Sequence, residues 1–307
     1  MFHTVLVPLD GSAFAEQALP FALSIARRAN AKLDFVRAHI LRCIEDPASG
    51  LARFDQAADA EFRAQEQDYL NEIARSHTGE CADSPTRAVV DGFAADAILG
   101  RAKAISADLI VMTTHGRGPL SRSFLGSVAD ELVRRCSIPV LLVRPQEALP
   151  DLHKEPSMTK VLVPLDRSPT SLQILGRAIQ LGSALGASYI FLHVVHPDAM
   201  PARKTDSERA AGLSRTWHEH EAEESLAYLE HVADWFRGPA VEVQTRVVVR
   251  PHIATAILDE ARAESCDLIA LASHGGVGLT KLLLGSVTDK VLRGASCPIL
   301  IYREPGE

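Results

Sequence analysis

The chain has 307 residues, 47% hydrophobic and 23% charged, with a formal net charge of −7. This length points to about two domains, with enough apolar surface for a core in each. The acidic balance, with no stretch where lysine and arginine gather, argues against nucleic-acid and anionic-membrane partners; no apolar run approaches the roughly 20 residues that span a bilayer.

Met1-Phe2-His3-Thr4 leads straight into the first predicted strand, at 3–9, leaving no room for a signal peptide. Further strands are predicted at about 32–39, 85–90, 108–113 and 139–143. Between them, helical periodicity runs over 13–28, 51–76, 94–105 and 126–135. Pro145, Pro150 and Pro156 then stand among charged residues, so 146–158 reads as a semi-rigid linker between domains at 1–145 and 159–307. The second domain repeats the alternation, with strands at about 160–165, 188–195, 240–249, 267–272 and 298–302. Its helices are expected at 169–184, 206–236, 252–264 and 285–294. Runs such as Leu109-Ile110-Val111-Met112 are continuously apolar, as in strands buried on both faces. The fold class is therefore α/β: in each domain a parallel sheet covered by helices on both sides. The final strands, Val140–Val143 and Ile299–Tyr302, are expected at sheet edges, where the two domains would pair with each other.

The two domains repeat one another in detail. Val5-Leu6-Val7-Pro8-Leu9-Asp10 returns as Val161-Leu162-Val163-Pro164-Leu165-Asp166. Thr114-His115-Gly116 returns as Ser273-His274-Gly275, and Leu125-Gly126-Ser127-Val128 as Leu284-Gly285-Ser286-Val287. The five cysteines (Cys43, Cys81, Cys136, Cys266, Cys297) do not share this repeat and contain no Cys-x-x-Cys, which suits reduced thiols in the cytoplasm.

Three repeated features fall at strand ends or helix starts. Asp10 and Asp166 close the first strand of each domain, where a carboxylate either caps the next helix or accepts hydrogen bonds from a ligand. Gly116 and Gly275 follow the fourth strand, each preceded by a histidine that either bonds local backbone or contacts phosphate. Gly126-Ser127 and Gly285-Ser286 open the last helix, with nine residues between them and those glycines in both copies. Such a helix start either is a plain serine cap or offers bare amides and partial positive charge to a phosphate. Arg117, Arg122 and Lys281 flank these loops, where they serve solubility or neutralise phosphate charge. The Walker pattern, the dinucleotide glycine fingerprint and the Gly-x-Ser-x-Gly elbow are all missing. His218 and His220, two apart in a charged helical stretch, point to different faces and do not suit a shared metal.

With these motifs the chain resembles a tandem form of the universal stress protein (UspA-like) family, whose pattern is Gly-2x-Gly-9x-Gly-Ser/Thr with an early aspartate. The resemblance implies two Rossmann-like (adenine nucleotide α-hydrolase-like) domains, each a five-stranded parallel sheet of order 3-2-1-4-5. It also implies an adenine-nucleotide site in each. In the first domain Pro8, Leu9, Asp10 and Ala38 would line the adenosine end. Thr113, His115, Gly116, Gly126, Ser127 and Val128 would face ribose and phosphates. The second set is Pro164, Leu165, Asp166, Val194, Ala272, His274, Gly275, Gly285, Ser286 and Val287. The family's first glycine is Thr113 here and Ala272 in the second copy, which predicts strain if that position needs positive φ. Otherwise it predicts crowding by Thr113; either way the second site is expected to bind more tightly.

The function expected is a cytoplasmic stress-response protein that binds ATP, or ADP or AMP, with Mg2+ accompanying the nucleotide. It would be regulatory rather than strongly catalytic, and compatible with a homodimer. A slow nucleotide hydrolase or transferase of the same superfamily is one alternative. That class often carries Ser-Gly-Gly-x-Asp-Ser after strand one, where this chain has Asp10-Gly11-Ser12 and Asp166-Arg167-Ser168. A scaffold that binds no nucleotide is the other.

Overall fold

The computed structural model describes residues 2–41, 43–45, 52–77, 79, 83–115, 125–146, 154–197, 207–239, 241–273 and 284–303. The chain divides into two compact units, Met1–Pro156 and Ser157–Glu307.

The first unit is built on β1 (Thr4–Pro8), β2 (Lys32–His39), β5 (Thr86–Asp91), β6 (Leu109–Thr113) and β7 (Val140–Val143), with a hairpin of β3 (Cys43–Glu45) and β4 (Ala52–Phe54). The five longer strands are parallel, in the order β5-β2-β1-β6-β7. Val5, Leu6, Val7, Leu109, Ile110 and Val111 have no exposure, so the two central strands are covered on both faces. β1 and β6 run parallel, but successive strands are added to opposite sides of this pair, and such a switch point leaves a crevice at the carboxyl ends of the two strands.

The helices of this unit are α1 (Ala13–Glu16), α2 (Leu19–Ala29), α3 (Gln56–Ser76), α4 (Ala94–Ala104) and α5 (Ser127–Arg135). The single helix expected over 13–28 is two, because Pro20 in the first turn of α2 has no N–H to extend α1 through it. Residues 52–54, expected to be helical, form β4 instead; the helix starts after Asp55, whose carboxylate accepts from the amides of Ala57 and Ala58 at 2.9 and 3.1 Å. A buried ion pair fixes α4 to the sheet. Arg101 donates through two nitrogens to Asp34, at 3.0 and 2.5 Å, and Asp34 is 1% exposed.

The second unit repeats the plan with β8 (Lys160–Pro164), β9 (Ser188–Val195), β10 (Val243–Val249), β11 (Leu268–Ala272) and β12 (Ile299–Tyr302). These strands are parallel, in the order β10-β9-β8-β11-β12. Around them lie α6 (Pro169–Leu185), α7 (Ser207–Asp234), α8 (Ile253–Ala263) and α9 (Ser286–Gly294). Here the proline, Pro169, occupies the first helical position, so α6 runs unbroken to Gly186 at φ +70°. The tenth strand begins at 243 rather than 240, after an isolated bridge between Gly238 and Val241. Among the described residues no helix is long and apolar enough to cross a membrane.

Candidate functional site

In the first unit a cavity of about 270 Å3 lies at the carboxyl edge of the sheet. Its walls come from the ends of β1, β2 and β6 and from α1, α3, α4 and α5. Six of the residues expected at the site meet there: Pro8, Leu9, Asp10, Ala38, Thr113 and Val128. Most of the remaining wall is apolar, including Val36, Ile40, Ile98 and Met112. The space is just below the usual range for small-molecule sites, roughly 300–1,000 Å3, so it fits one compact moiety rather than a long ligand.

Asp10 is not the helix cap. Ser12 caps α1, accepting from the amide of Ala15 at 3.1 Å, while Asp10 Oδ1 accepts from the Ser12 amide at 2.9 Å and its hydroxyl at 2.6 Å. Gly11 between them has φ +80°, so the chain folds back there and holds the carboxylate beside the cavity. Asp166 and Ser168 repeat the motif at 3.0 and 2.5 Å, with Ser168 accepting from the amide of Ser171 at 3.1 Å.

The helix starts also differ from a plain serine cap. Gly126 and Gly285 occupy the cap positions, Ser127 and Ser286 are the first helical residues, and neither helix has a side-chain cap bond. Both serines are exposed. Gly126 donates to the carbonyl of Thr114 at 2.8 Å, and a Cβ at residue 126 would approach that oxygen to 2.7 Å. Glycine is thus required by close backbone contact. Its φ of −60° is ordinary.

Neither Thr113 nor Ala272 lies at positive φ, so the strain expected at the missing glycine does not arise. Thr113 sits in β6 and donates its hydroxyl to the His115 carbonyl at 2.8 Å. The His115 ring is placed by the Thr114 hydroxyl, 3.0 Å from Nδ1. Gly116, Arg117, Arg122, His274, Gly275 and Lys281 lie outside the described residues. Pro164, Leu165, Asp166 and Val194 stand at the ends of β8 and β9, and Ala272 ends β11. Ser286 and Val287 line a different, 240 Å3 hollow with His196, His252 and Lys290.

Two charged cavity residues were not expected from the sequence, Arg37 and Glu66. The Arg37 guanidinium is 3.3 Å from Glu66 and lies over the Tyr69 ring, 5.2 Å from its centre. The other oxygen of Glu66 is 2.7 Å from Nδ1 of His39, whose Nε2 is 3.1 Å from Asp59; His39 itself is 1% exposed. Tyr69 donates to Glu16 at 2.9 Å, and burial, reinforced by Glu16, pushes its hydroxyl well above the ordinary tyrosine value. The one signal for Arg37 was its place between the apolar Val36 and Ala38 near the carboxyl end of β2. Nothing in local spacing marks Glu66 among the charges of α3.

Comparison with known proteins bears on this arrangement. The sequence profile of the universal stress protein family matches residues 1–144 and again 158–303. A universal stress protein of Mycobacterium tuberculosis is 36% identical over 200 residues, 64% of this chain and 62% of the relative. The chain thus matches less than two thirds of that relative's length. A second one from the same organism is 26% identical over 315 residues, covering 98% of this chain and 95% of its own. Among solved structures, a universal stress protein from Archaeoglobus fulgidus superposes with a TM-score of 0.67 at 17% identity, covering 98% of this chain and 96% of its own. That likeness concerns the fold.

Proposed function

The chain belongs to the universal stress protein family, and from that premise we propose that its first unit binds an adenine nucleotide and serves regulation more than catalysis. The carrying observation is the single cavity that joins Asp10, Ala38, Thr113 and Val128. Its apolar wall suits a base, and Asp10 is held where it can accept from sugar hydroxyls. The start of α5, with no side-chain cap, supplies amides for an anion, and the glycine at 126 lets the chain pack closely there. The cavity holds the nucleoside, with the phosphates outside it along α5.

A Mg2+ arriving with the nucleotide would be held chiefly by phosphates and water, since no group of three potential ligands occurs among the described residues. Each site aspartate already commits one oxygen to the following serine, which suits orienting a hydroxyl more than driving phosphoryl transfer. Turnover is therefore expected below about 1 s⁻¹. The same proposal places the protein in a reducing cytoplasm, consistent with free thiols at Cys136, Cys266 and Cys297, and includes self-association, which light scattering tests.

Native mass spectrometry of gently purified protein, followed by calorimetric titration with ATP, ADP and AMP, tests the reading. Binding that weakens at least tenfold in Asp10→Asn is the expected result. Absence of binding by all three nucleotides overturns it.

A further inference from the structure

The two units do not present the same entrance, although their motifs match. Strand register makes the correspondence explicit: Val7 pairs with Phe35 in one sheet and Val163 with Phe191 in the other. Arg37 and Ala38 therefore correspond to His193 and Val194, Ile40 to His196, and Gly11 to Arg167. On the long helices, Glu66 precedes Tyr69 by three residues, as Ser225 precedes Tyr228.

In the first unit Asp10 and the α3 residue Glu66 both line the cavity, with Arg37 beside them, and the residue after Asp10 is Gly11, which has no side chain. In the second, Arg167 takes the place of Gly11 and adopts φ +64°, a left-handed conformation that favours glycine. Its guanidinium leaves the loop and reaches α7, donating to Glu221 at 2.5 Å with Glu224 at 3.8 Å. Glu221 lies one turn before Ser225, so this ion pair joins the two elements whose counterparts, the Asp10 loop and α3, both line the cavity of the first unit. Beneath it, His193 is buried and its Nδ1 lies 2.7 Å from the Leu165 carbonyl. Burial pushes His193 below the ordinary histidine value. Arg167, Asp166 and Glu221 all act electrostatically on that ring, so the ion pair stands close to the residue that takes the place of Arg37, a residue of the first cavity's wall.

We propose that Arg167 and Glu221 form a strap that keeps the nucleoside end of a nucleotide out of the second unit, so that the chain binds one adenine nucleotide, in the first unit. The inference rests on the nucleotide-binding reading given above. It reverses the order of affinities expected from Thr113 and Ala272. Arg167 is thereby the residue that sets which half is loaded. Its strained backbone is consistent with a position kept for what its side chain reaches.

Calorimetric titration of the full chain with ATP tests this. The expected stoichiometry is one for the unmodified chain and zero for Ala38→Phe, which fills the first cavity. Asp10→Ala, a second variant in the first unit, is expected to weaken that one site at least tenfold. Arg167→Gly and Glu221→Gln, which remove the strap from either side, are expected to raise the stoichiometry to two. A stoichiometry of two in the unmodified chain overturns the inference. So does one site of unchanged affinity in both Ala38→Phe and Asp10→Ala, or a value of one in both strap variants. Absence of ATP binding by every variant instead defeats the nucleotide reading, and the strap falls with it.

Discussion

The amide of Gly126 donates to the carbonyl of Thr114 at 2.8 Å, tying the start of α5 to the end of β6. A methyl group at residue 126 would meet that same carbonyl oxygen at 2.7 Å, a backbone atom that cannot swing aside. Gly126→Ala is therefore expected to cost about 1–3 kcal/mol through overpacking, with no φ penalty. It should also weaken nucleotide binding about tenfold or more by moving the helix start. Urea denaturation and calorimetry on one preparation check both effects. Unchanged stability would show that the contact relaxes freely.

Asp34 is buried and bonded to Arg101 through both oxygens, and it also accepts from the Thr86 hydroxyl at 2.5 Å. Removing the carboxylate leaves the guanidinium and hydroxyl without their acceptor. Asp34→Ala is expected to lose about 2–4 kcal/mol, somewhat less than a fully buried pair because Arg101 is partly exposed. Equilibrium unfolding with a probe in the first unit measures this.

Glu155 carries a pH signature. Arg28 and Ser24 lead the interactions that hold its carboxyl at about 2 instead of the ordinary 4.5. Since the folded value is the lower one, the unfolded chain takes up this proton first as pH falls. The contribution is complete above about pH 4.5 and is lost on descending toward about pH 2. The difference in Tm between wild type and Glu155→Gln should therefore shrink between about pH 6 and about pH 3. A difference independent of pH would contradict this.

Cys266 and Cys297 are held at about 11, mainly by burial. Only the thiolate reacts, so both should alkylate on the order of a hundredfold more slowly than a free cysteine near neutral pH. Mass spectrometry after timed iodoacetamide exposure, native and denatured, checks it. Rapid native labelling at Cys297 would show that its thiol is not held in the protonated form.

The strands were legible because their apolar runs are continuous where both faces are covered, as in Leu109 to Val111. The hairpin was not legible. Ala52-Arg53-Phe54 is too short for its alternation to signal a strand and abuts a helical stretch, so only pairing with Cys43–Glu45 makes it a strand. The aspartate and Gly-Ser motifs marked where the crevice lies, since repetition at fixed spacing singles out chain geometry. The repeat also concealed the difference between the units, because it draws the eye to Asp10 and Asp166 rather than to Gly11 and Arg167. Arg37 and Glu66 meet only through the packing of α3 on β2, which no local pattern encodes.

The long helix α3 buries only Leu70 and Ala74, and polar contacts add to its hold, to His39 and Arg37 of β2 and to Glu16 of α1. One wall of the cavity is thus fastened partly by charge while the strands beneath it are fastened by oil. With so little apolar burial, the amides of this wall should exchange with solvent earlier than those of β1 or β6, which lie in the fully covered sheet.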